Sequence, residues 1–394
     1  MRGGLRLGRI FGINIYIDGS WVFIFLLVTW NLAAGVFPSL HPDWGATLNW
    51  GTSIVASLLF FASVLAHELA HSVVAKSQGI PVRSITLYLF GGVSNIQREP
   101  TSPAAEFVMA IVGPLTSLVL GAIFLLLSGA TAAGWDVITG SPTGPLARLD
   151  PLSTLLLWLG PINLLLGVFN LVPGFPLDGG RVLRSVLWAI TNNLWVATRW
   201  ASQVGQGIAW LFIIAGISMM FGLSVPFFGT GFLGGLWLAF IGWFLNSAAV
   251  QSYQQVVIED LLEGVPVARL MQSNPPSVPP DSLVSTLVHD HFIGTNERAF
   301  PVVQGDRLVG MVSLEDVRKA HRAEWDTTRV SQIMLHADQL AVATPQEDAA
   351  EVMKRLGSGD VPQIPVVEDG HLVGMLRHED IVKWLQLHSD LVAR

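Results

Sequence analysis

The sequence contains no cysteine and few charged residues. Without cysteine there are no disulfides and no thiolate metal ligands, so any bound metal must be held by His, Asp or Glu. Charged side chains make up 13% of the 394 residues and hydrophobic ones 51%, whereas soluble domains have about 25% charged residues. This composition is typical of a membrane protein. The net charge of −7 also argues against a nucleic-acid partner, which requires a basic surface.

The shortage of charge is confined to the first part of the chain. Residues 1–250 contain 8 of the 29 carboxylates and 10 of the 22 Lys and Arg residues. A helix needs about 20 mostly apolar residues to cross a bilayer. The sequence therefore predicts a polytopic α-helical membrane domain over 1–250, followed by a charged α/β part. Six apolar runs are candidate transmembrane helices, at roughly 19–37, 52–76, 105–128, 153–173, 204–222 and 230–249.

The basic residues predict an orientation in the cell membrane, because loops rich in Lys and Arg stay in the cytoplasm. Such residues precede the first apolar run and follow the second and the fourth, whereas the opposite loops carry only Arg148. We therefore expect a multi-pass protein whose two termini are cytoplasmic. The N-terminal MRGGLRLGRIFG lacks a small-residue cleavage site after it, so we expect the first run to be retained.

The C-terminal part contains an internal repeat. FPVVQGDRLVGMVSLEDV (300–317) matches IPVVEDGHLVGMLRHEDI (364–381) at an offset of 64, with nine identities over 301–317. Each copy reads as two short strands around a glycine turn, followed by a helix. Repeats of this kind are stacked copies of one unit. We predict a linker and two repeat domains, at 251–264, 265–322 and 327–388.

One apolar run has an unexpected polar group in its middle. In FASVLAHELAHSVVAKSQG (61–79), His67, Glu68 and His71 form H-E-x-x-H. Histidines at i and i+4 lie on one helix face, where both can bind one zinc ion, and the glutamate beside them can act as the general base. A chance motif is the alternative. However, an ionisable residue at bilayer depth costs about 2.5–3.5 kcal/mol. Three such residues within one turn of a membrane helix are therefore not expected unless they have a function.

A zinc site of this kind needs a third ligand. Asp178 is notable because it lies in NLVPGFPLDGGRVLRS (170–185), where proline and glycine break the helix directly after an apolar run. By itself it could equally be a turn carboxylate or the N-cap of a helix starting near Arg181. The other candidates in the membrane part are Asp18, His41, Asp43, Glu99, Glu106, Asp136 and Asp150.

The two motifs together resemble the site-2 protease family of intramembrane zinc metalloproteases. HELAH in an apolar run is followed, about a hundred residues later, by N-x-x-P-x-x-P-L-D-G-G-R. The resemblance implies that Asp178 is the third zinc ligand. It also implies that Asn170 helps to bind substrate or the tetrahedral intermediate, for which a helix–helix hydrogen bond is the alternative.

Two further segments are similar to that family. LYLFGGVSN (87–95) resembles its F-G-G segment, where Gly91 and Gly92 would let a substrate approach as an added strand. A hairpin turn is the alternative interpretation. GPLTS (113–117) resembles its G-P-x-x-S/N pattern, which we interpret as helix packing through Gly113.

The repeat resembles a tandem pair of cystathionine-β-synthase-type (CBS) domains, since both copies keep G-x-x-x-x-E-D. The resemblance implies adenine nucleotide binding (ATP, ADP or AMP) and a homodimer. The implied nucleotide residues are Ser313 and Asp316 in the first copy, and Arg377 and Asp380 in the second. Arg377 replaces the usual Ser or Thr, so it could bind a phosphate or leave that cleft empty. A purely structural dimerisation module is the alternative.

We therefore predict a zinc endopeptidase that cleaves membrane protein substrates within or beside their transmembrane helices. Its candidate cofactor is one Zn²⁺, and nucleotide binding to the CBS pair would regulate it. One alternative is an ion channel or transporter with a CBS pair, in which the intramembrane His and Glu form an ion path. Another is an inactive homologue that acts as a scaffold. The sequence does not identify the substrate, and no PDZ-like insertion is visible in it.

Overall fold

The computed structural model describes residues 4–89, 91–96, 98–130, 149–226, 228–295, 297–358 and 363–388. Asp136 and Arg148, considered above, lie outside the described residues. The chain divides into two compact units, Met1–Tyr253 and Gln254–Arg394. Each is described below by itself.

Six helices in the described part of the first unit are long and apolar enough to cross a bilayer. They are Gly19–Leu40, Ala46–Ser77, Pro103–Gly129, Pro151–Asn170, Leu194–Met220 and Phe232–Ile258. This confirms the predicted fold class. Each predicted run lies largely within one of these helices, and the differences are confined to the ends, where capping residues rather than hydrophobicity decide the boundary.

The helices of this unit are labelled in chain order. The first span consists of α1 and α2, joined by a π-helical turn at Leu32–Val36. The last helix continues to Leu262, so it includes most of the segment that we predicted as a linker. The labels are α1 (Gly19–Asn31), α2 (Phe37–Leu40), α3 (Ala46–Ser77), α4 (Pro103–Gly129), α5 (Pro151–Asn170), α6 (Asp178–Thr191), α7 (Leu194–Met220) and α8 (Phe232–Leu262).

A four-stranded sheet accompanies the helices, in the order β1-β2-β3-β4. Strands β2 and β3 are parallel, and the other two pairs are antiparallel. Strand β4 therefore lies at one edge of the sheet. The strands are β1 (Leu5–Ile10), β2 (Ile13–Ile17), β3 (Val82–Tyr88) and β4 (Gly91–Ile96).

The sheet packs on the helix that carries the H-E-x-x-H motif. Ile13, Ile15 and Ile85 are buried against Leu65 and Leu69 of α3. Burial of apolar side chains in this contact fixes the sheet, and with it β4, beside the polar group of α3. The sequence analysis did not predict the β1–β2 hairpin, although INIYI in β2 alternates in hydrophobicity and in burial.

The second unit contains a sheet built from both repeats. The described strands are ordered β5-β10-β7-β6, with β8 paired to β7 and β9 paired to β10. The equivalent hairpins β6–β7 and β9–β10 are each followed by a helix, as predicted from the repeat. The elements are β5 (Gln272–Ser273), α9 (Val284–Thr286), β6 (Ala299–Gln304), β7 (Arg307–Ser313), α10 (Leu314–Lys319), α11 (Val330–Ile333), β8 (Leu335–His336), α12 (Ala349–Ser358), β9 (Gln363–Glu368), β10 (His371–Arg377) and α13 (His378–His388).

The two repeats exchange their leading segments. Val267 and Leu270 precede the first repeat hairpin, yet they are buried in the core formed by Ala343–Ile381. Val330 precedes the second hairpin, yet it is buried in the core formed by Val278–Val317. Each hydrophobic core therefore contains residues from both repeats. The predicted domains, in contrast, are two consecutive segments of the sequence.

Candidate active site

His67 and His71 lie one turn apart on α3, and both face the interior of the first unit. Their exposed fractions are 5% and 6%. The two Nε2 atoms are 3.2 Å apart. The spacing of the motif thus brings both ring nitrogens to one point inside a helix of membrane-spanning length.

Asp178 reaches this point from α6, of which it is the first residue. Its Oδ2 atom lies 3.0 Å from Nε2 of His67 and 3.2 Å from Nε2 of His71. The turn before it folds back closely, since a β-carbon on Gly179 would lie 2.3 Å from the carbonyl oxygen of Val172. The helix begins at Asp178 rather than near Arg181, and its N-cap residue is Leu177.

The three side chains form a donor set that fits a zinc ion. In a tetrahedral site with bonds of about 2.0–2.1 Å, neighbouring ligand atoms are separated by about 3.3 Å. The three observed separations in this group of His67, His71 and Asp178 are 3.0, 3.2 and 3.2 Å. Imidazole nitrogen and carboxylate oxygen are also the zinc ligands available to a chain without cysteine.

The hydrogen bonds behind the rings support the same conclusion. A carbonyl oxygen only accepts, so Nδ1 of His71 donates its proton to the carbonyl oxygen of Met109 at 2.6 Å. When the ring is neutral, its Nε2 atom presents a lone pair toward the Asp178 carboxylate, 3.2 Å away. This arrangement of two acceptors suits a metal ion bound by both. Nδ1 of His67 lies 2.9 Å from the Ser117 hydroxyl, a contact of the type that orients metal-binding histidines.

Gly113 lies where α4 packs closely on α3, as predicted, and the contact falls on the two histidines. A β-carbon there would lie 2.1 Å from Nε2 of His71 and 2.8 Å from Nε2 of His67. The missing side chain leaves space at the metal-binding face of the two imidazoles. Met109 and Ser117 are further contacts that the sequence analysis missed, because they depend on how α4 packs against α3.

Glu68 lies beside the two histidines and is held by a chain of hydroxyl groups. Ser72 donates to Ser94 at 3.1 Å, and Ser94 donates to Oε2 of Glu68 at 2.8 Å. Strand β4 passes close to this carboxylate, since a β-carbon on Gly92 would lie 2.3 Å from Cγ of Glu68. Ser94 was also missed by the sequence analysis, although it lies in the quoted LYLFGGVSN segment.

The other predicted substrate residues occupy different surroundings. Gly91 starts β4 with φ of 128°, a region that favours glycine, and the segment forms an antiparallel hairpin with β3 whose outer strand is β4. The amide nitrogen of Asn170 donates to the carbonyl oxygen of Leu166 in its own helix at 2.9 Å. The described hydrogen bonds do not join Asn170 to His67, His71, Glu68 or Asp178.

In the second unit, the predicted nucleotide residues of the first repeat form a helix cap. The Ser313 hydroxyl donates to Oδ2 of Asp316 at 2.6 Å, and Lys319 donates to Oδ1 at 2.7 Å. Burial raises the pKa of the Asp316 carboxyl, but the hydrogen bonds from Lys319 and Ser313 outweigh this effect and hold the pKa below its usual value. The carboxylate is therefore charged and partly exposed at the start of α10.

The equivalent position in the second repeat is arranged differently. Arg377 donates to both oxygens of Asp380, at 3.0 and 2.9 Å. Its Nη1 atom also lies 2.5 Å from Oε1 of Glu297, which comes from the first repeat. These contacts, the hydrogen bonds to Asp380 first among them, raise the pKa of the guanidinium.

A small cleft beside this group is lined by residues of both repeats, among them Gln272, Glu297, Gln363, Met375 and Arg377.

Comparison with known proteins agrees with this division of the chain. The family model "Peptidase family M50" matches residues 55–212, which include His67, His71 and Asp178. The model "CBS domain" matches twice, at residues 267–323 and 330–387. The first match defines a membrane metalloprotease class, and the second confirms the predicted CBS pair.

Relatives named as zinc metalloproteases align along almost the whole chain. The protein sll0528 of Synechocystis sp. is 35% identical over 389 residues, which cover 98% of this chain and 96% of the relative. Zinc metalloprotease MJ0392 of Methanocaldococcus jannaschii is 27% identical over 388 residues, with 98% and 97% covered. A solved structure, "Site-2 Protease from Methanocaldococcus jannaschii", is 29% identical, with 64% of this chain and 95% of that chain covered and a TM-score of 0.40.

The chain belongs to Peptidase family M50, the site-2 protease family. The predicted resemblance and the predicted enzyme class, a zinc metalloprotease with a C-terminal CBS pair, are thereby confirmed. The same result opposes the alternative of an ion channel or transporter.

Proposed function

We propose that the chain is an intramembrane zinc endopeptidase in which His67, His71 and Asp178 bind one Zn²⁺ and Glu68 is the general base. The observation that carries this proposal is the convergence of three donor atoms within 3.2 Å of one another, in the interior of a unit with six helices of membrane-spanning length among its described residues. The substrates are membrane proteins, cut within or beside a transmembrane helix.

Zinc bound there would supply Lewis-acid chemistry toward the scissile carbonyl and the attacking water. Glu68 would take a proton from the attacking water. Ser94 orients this carboxylate by donating to Oε2. Glu68 then returns the proton to the leaving amine nitrogen of the substrate. The residues Ser117 and Met109 keep the two imidazoles in the orientation that the metal requires.

The substrate is proposed to bind as an extended segment along β4. A peptide bond inside a helix is shielded by its own hydrogen bonds, so the helix must unwind before it reaches the site. The edge strand β4 offers backbone groups for pairing with such a segment, and it passes directly beside Glu68 through Gly92. Gly91 has no atom within 4 Å of its ideal β-carbon position, which leaves room for a second backbone. The role of Asn170 in substrate binding stays a prediction.

The zinc assignment is tested by metal analysis of purified full-length protein. Wild type is expected to contain about one zinc per chain, and Asp178→Ala is expected to lose it. Asp150→Ala is a matched control, since Asp150 also lies at a helix start, where it accepts from Ser153 at 3.2 Å. Wild type without zinc, after preparation free of chelators, would remove the basis of the proposal.

Proteolysis is tested separately, because the substrate is not identified. New N-termini in membranes are compared between cells that produce wild type and cells that produce Glu68→Gln, which is expected to keep zinc. Cuts inside transmembrane segments that occur only with wild type support the proposal. Identical termini in both samples, together with intact zinc binding, would instead favour an inactive scaffold.

We also propose that an adenine nucleotide binds to the CBS pair at the first repeat and regulates the protease. The charged carboxylate of Asp316 and the hydroxyl of Ser313 suit ribose and phosphate groups, respectively. In the second repeat, a nucleotide would have to displace Glu297 from Arg377. Calorimetry of the full chain with ATP, ADP and AMP tests this proposal, and no heat at millimolar nucleotide would exclude it. A homodimer and a cytoplasmic CBS pair stay predictions.

A further inference from the structure

One face of α4 contacts the candidate zinc site at three successive levels and continues to a fourth residue, Glu106. Ser117 holds Nδ1 of His67, Gly113 leaves the space at both Nε2 atoms, and the Met109 carbonyl holds Nδ1 of His71. Glu106 is one turn before Met109 on the same face. The spacings of three and four residues place all four positions on one side of the helix. Glu106 thus belongs to the same surface, although it does not contact a histidine.

Glu106 contacts α6, the helix that begins with Asp178. Its exposed fraction is 0%, and that of Arg184 is 3%. Nε of Arg184 donates to Oε1 of Glu106 at 2.6 Å, and Nη2 contacts the same oxygen. Arg184 also lies 3.5 Å from Glu99 through Nη1 and covers the ring of Phe175, with 5.4 Å from Cζ to the ring centroid.

The geometry of α6 connects this ion pair to the metal ligand. Arg184 lies six residues after Asp178, about 9 Å along the helix axis. The pair therefore fixes α6 at its second turn, while Phe175 under the guanidinium fixes the turn that precedes Asp178. A displacement of α6 along α4 would move the Asp178 carboxylate away from two imidazoles that α4 itself holds in place.

We propose that the Glu106–Arg184 ion pair positions Asp178, the third zinc ligand, so that its carboxylate lies close to His67 and His71. This inference rests on the zinc site proposed above. The competing explanation is that the pair only stabilises the fold. The two explanations differ in their consequence for metal binding, since ion pairs that merely connect two helices leave metal affinity unchanged when the fold is kept.

The test replaces both members of the pair, so neither leaves a buried charge; Arg181, which lies 3.8 Å from Glu106, is partly exposed to solvent. In Glu106→Leu combined with Arg184→Met, both partners become apolar, a change that often preserves or raises stability. Purified full-length protein is stripped of metal and titrated with Co²⁺, whose visible absorption reports the number and geometry of its ligands. A chelator competition then gives the affinity for Zn²⁺. Thermal unfolding of the metal-free forms shows whether the fold is kept.

The expected result is a folded double variant that binds Co²⁺ and Zn²⁺ about 10–100-fold more weakly, the usual effect of losing an outer contact of a metal site. Its Co²⁺ absorption is expected to be weaker, because water replaces Asp178. Arg199→Met is the matched control, since Arg199 is exposed and contacts the ring of Trp195 at 5.5 Å. This control should bind both metals as wild type does.

Wild-type affinity and absorption in the folded double variant would overturn the inference. If the double variant does not fold, the single variant Arg184→Lys is measured instead, since it keeps the charge but has one donor nitrogen instead of three. Weaker Co²⁺ binding in this variant supports the inference, and unchanged binding overturns it. Wild type that binds neither metal is a different outcome, because it would contradict the proposed zinc site itself.

Discussion

A β-carbon on Gly113 would lie 2.1 Å from Nε2 of His71. Real β-carbons do not approach a heavy atom so closely, and the imidazole cannot retreat, because Met109 holds its other nitrogen at 2.6 Å. The position is thus restricted to glycine by the metal-binding face of the site rather than by backbone conformation. This relationship leads to a specific expectation for the smallest possible substitution.

Gly113→Ala is expected to abolish zinc binding and with it proteolysis, because the added methyl group occupies the space in front of both Nε2 atoms. Gly51→Ala is the control: Gly51 lies on the same helix as the histidines, and nothing lies within 4 Å of its ideal β-carbon position. Zinc per chain, measured on purified protein, distinguishes the two. A Gly113→Ala protein with full zinc content would show that the metal binds elsewhere.

Ser94→Ala is expected to lower kcat by roughly 10- to 150-fold while zinc content stays unchanged. The reason is that Ser94 donates to Oε2 of the Glu68 carboxylate, and a hydrogen bond to a charged group is worth about 1.5–3 kcal/mol. Ser77→Ala is a suitable control, because Ser77 lies at the exposed end of α3, the helix that carries Glu68, and donates to the carbonyl oxygen of Val74. The measurement is the initial rate on a substrate found with the wild-type enzyme.

A change in KM alone would contradict this expectation, since it would assign Ser94 to substrate binding along β4. Loss of zinc would contradict it as well, because Glu68 is not among the three proposed metal ligands. Only a lower kcat with intact zinc supports a role in orienting the general base.

The sequence was informative where the chemistry is local. The pair His67 and His71 requires only the period of one helix, and the six spans require only apolar length. The contacts that complete the site, Met109, Ser117 and Ser94, come from elements distant in sequence. Ser117 and Ser94 lie in the quoted segments GPLTS and LYLFGGVSN, but their contacts with His67 and Glu68 follow only from the packing of α4 and β4 on α3. Met109 acts through its backbone carbonyl, which its residue type does not indicate.

The CBS pair shows a similar limit. The repeat predicted two equivalent hairpins with a helix after each, and these are present. The exchange of leading segments was not predictable, because Val267 and Val330 are apolar in both arrangements and either core would accept them. The Glu297–Arg377 contact depends on how the two repeats pack together, so the sequence of either repeat alone could not predict it.

Arg377→Ser is expected to open a second nucleotide site in the CBS pair. The substitution restores the residue type found at Ser313, frees Asp380 from two hydrogen bonds at 3.0 and 2.9 Å, and removes the ion pair with Glu297. Nucleotide bound per chain, measured by calorimetry on the full-length protein, should therefore rise from about one to about two if each repeat provides one site. Arg318→Ser is the control, because Arg318 is exposed in the last turn of α10. If Arg377→Ser binds the same number of nucleotides as wild type, Arg377 is not what closes the second cleft.

If the wild-type chain already binds two nucleotides, Glu297 releases Arg377 on binding, and the guanidinium itself contacts the nucleotide.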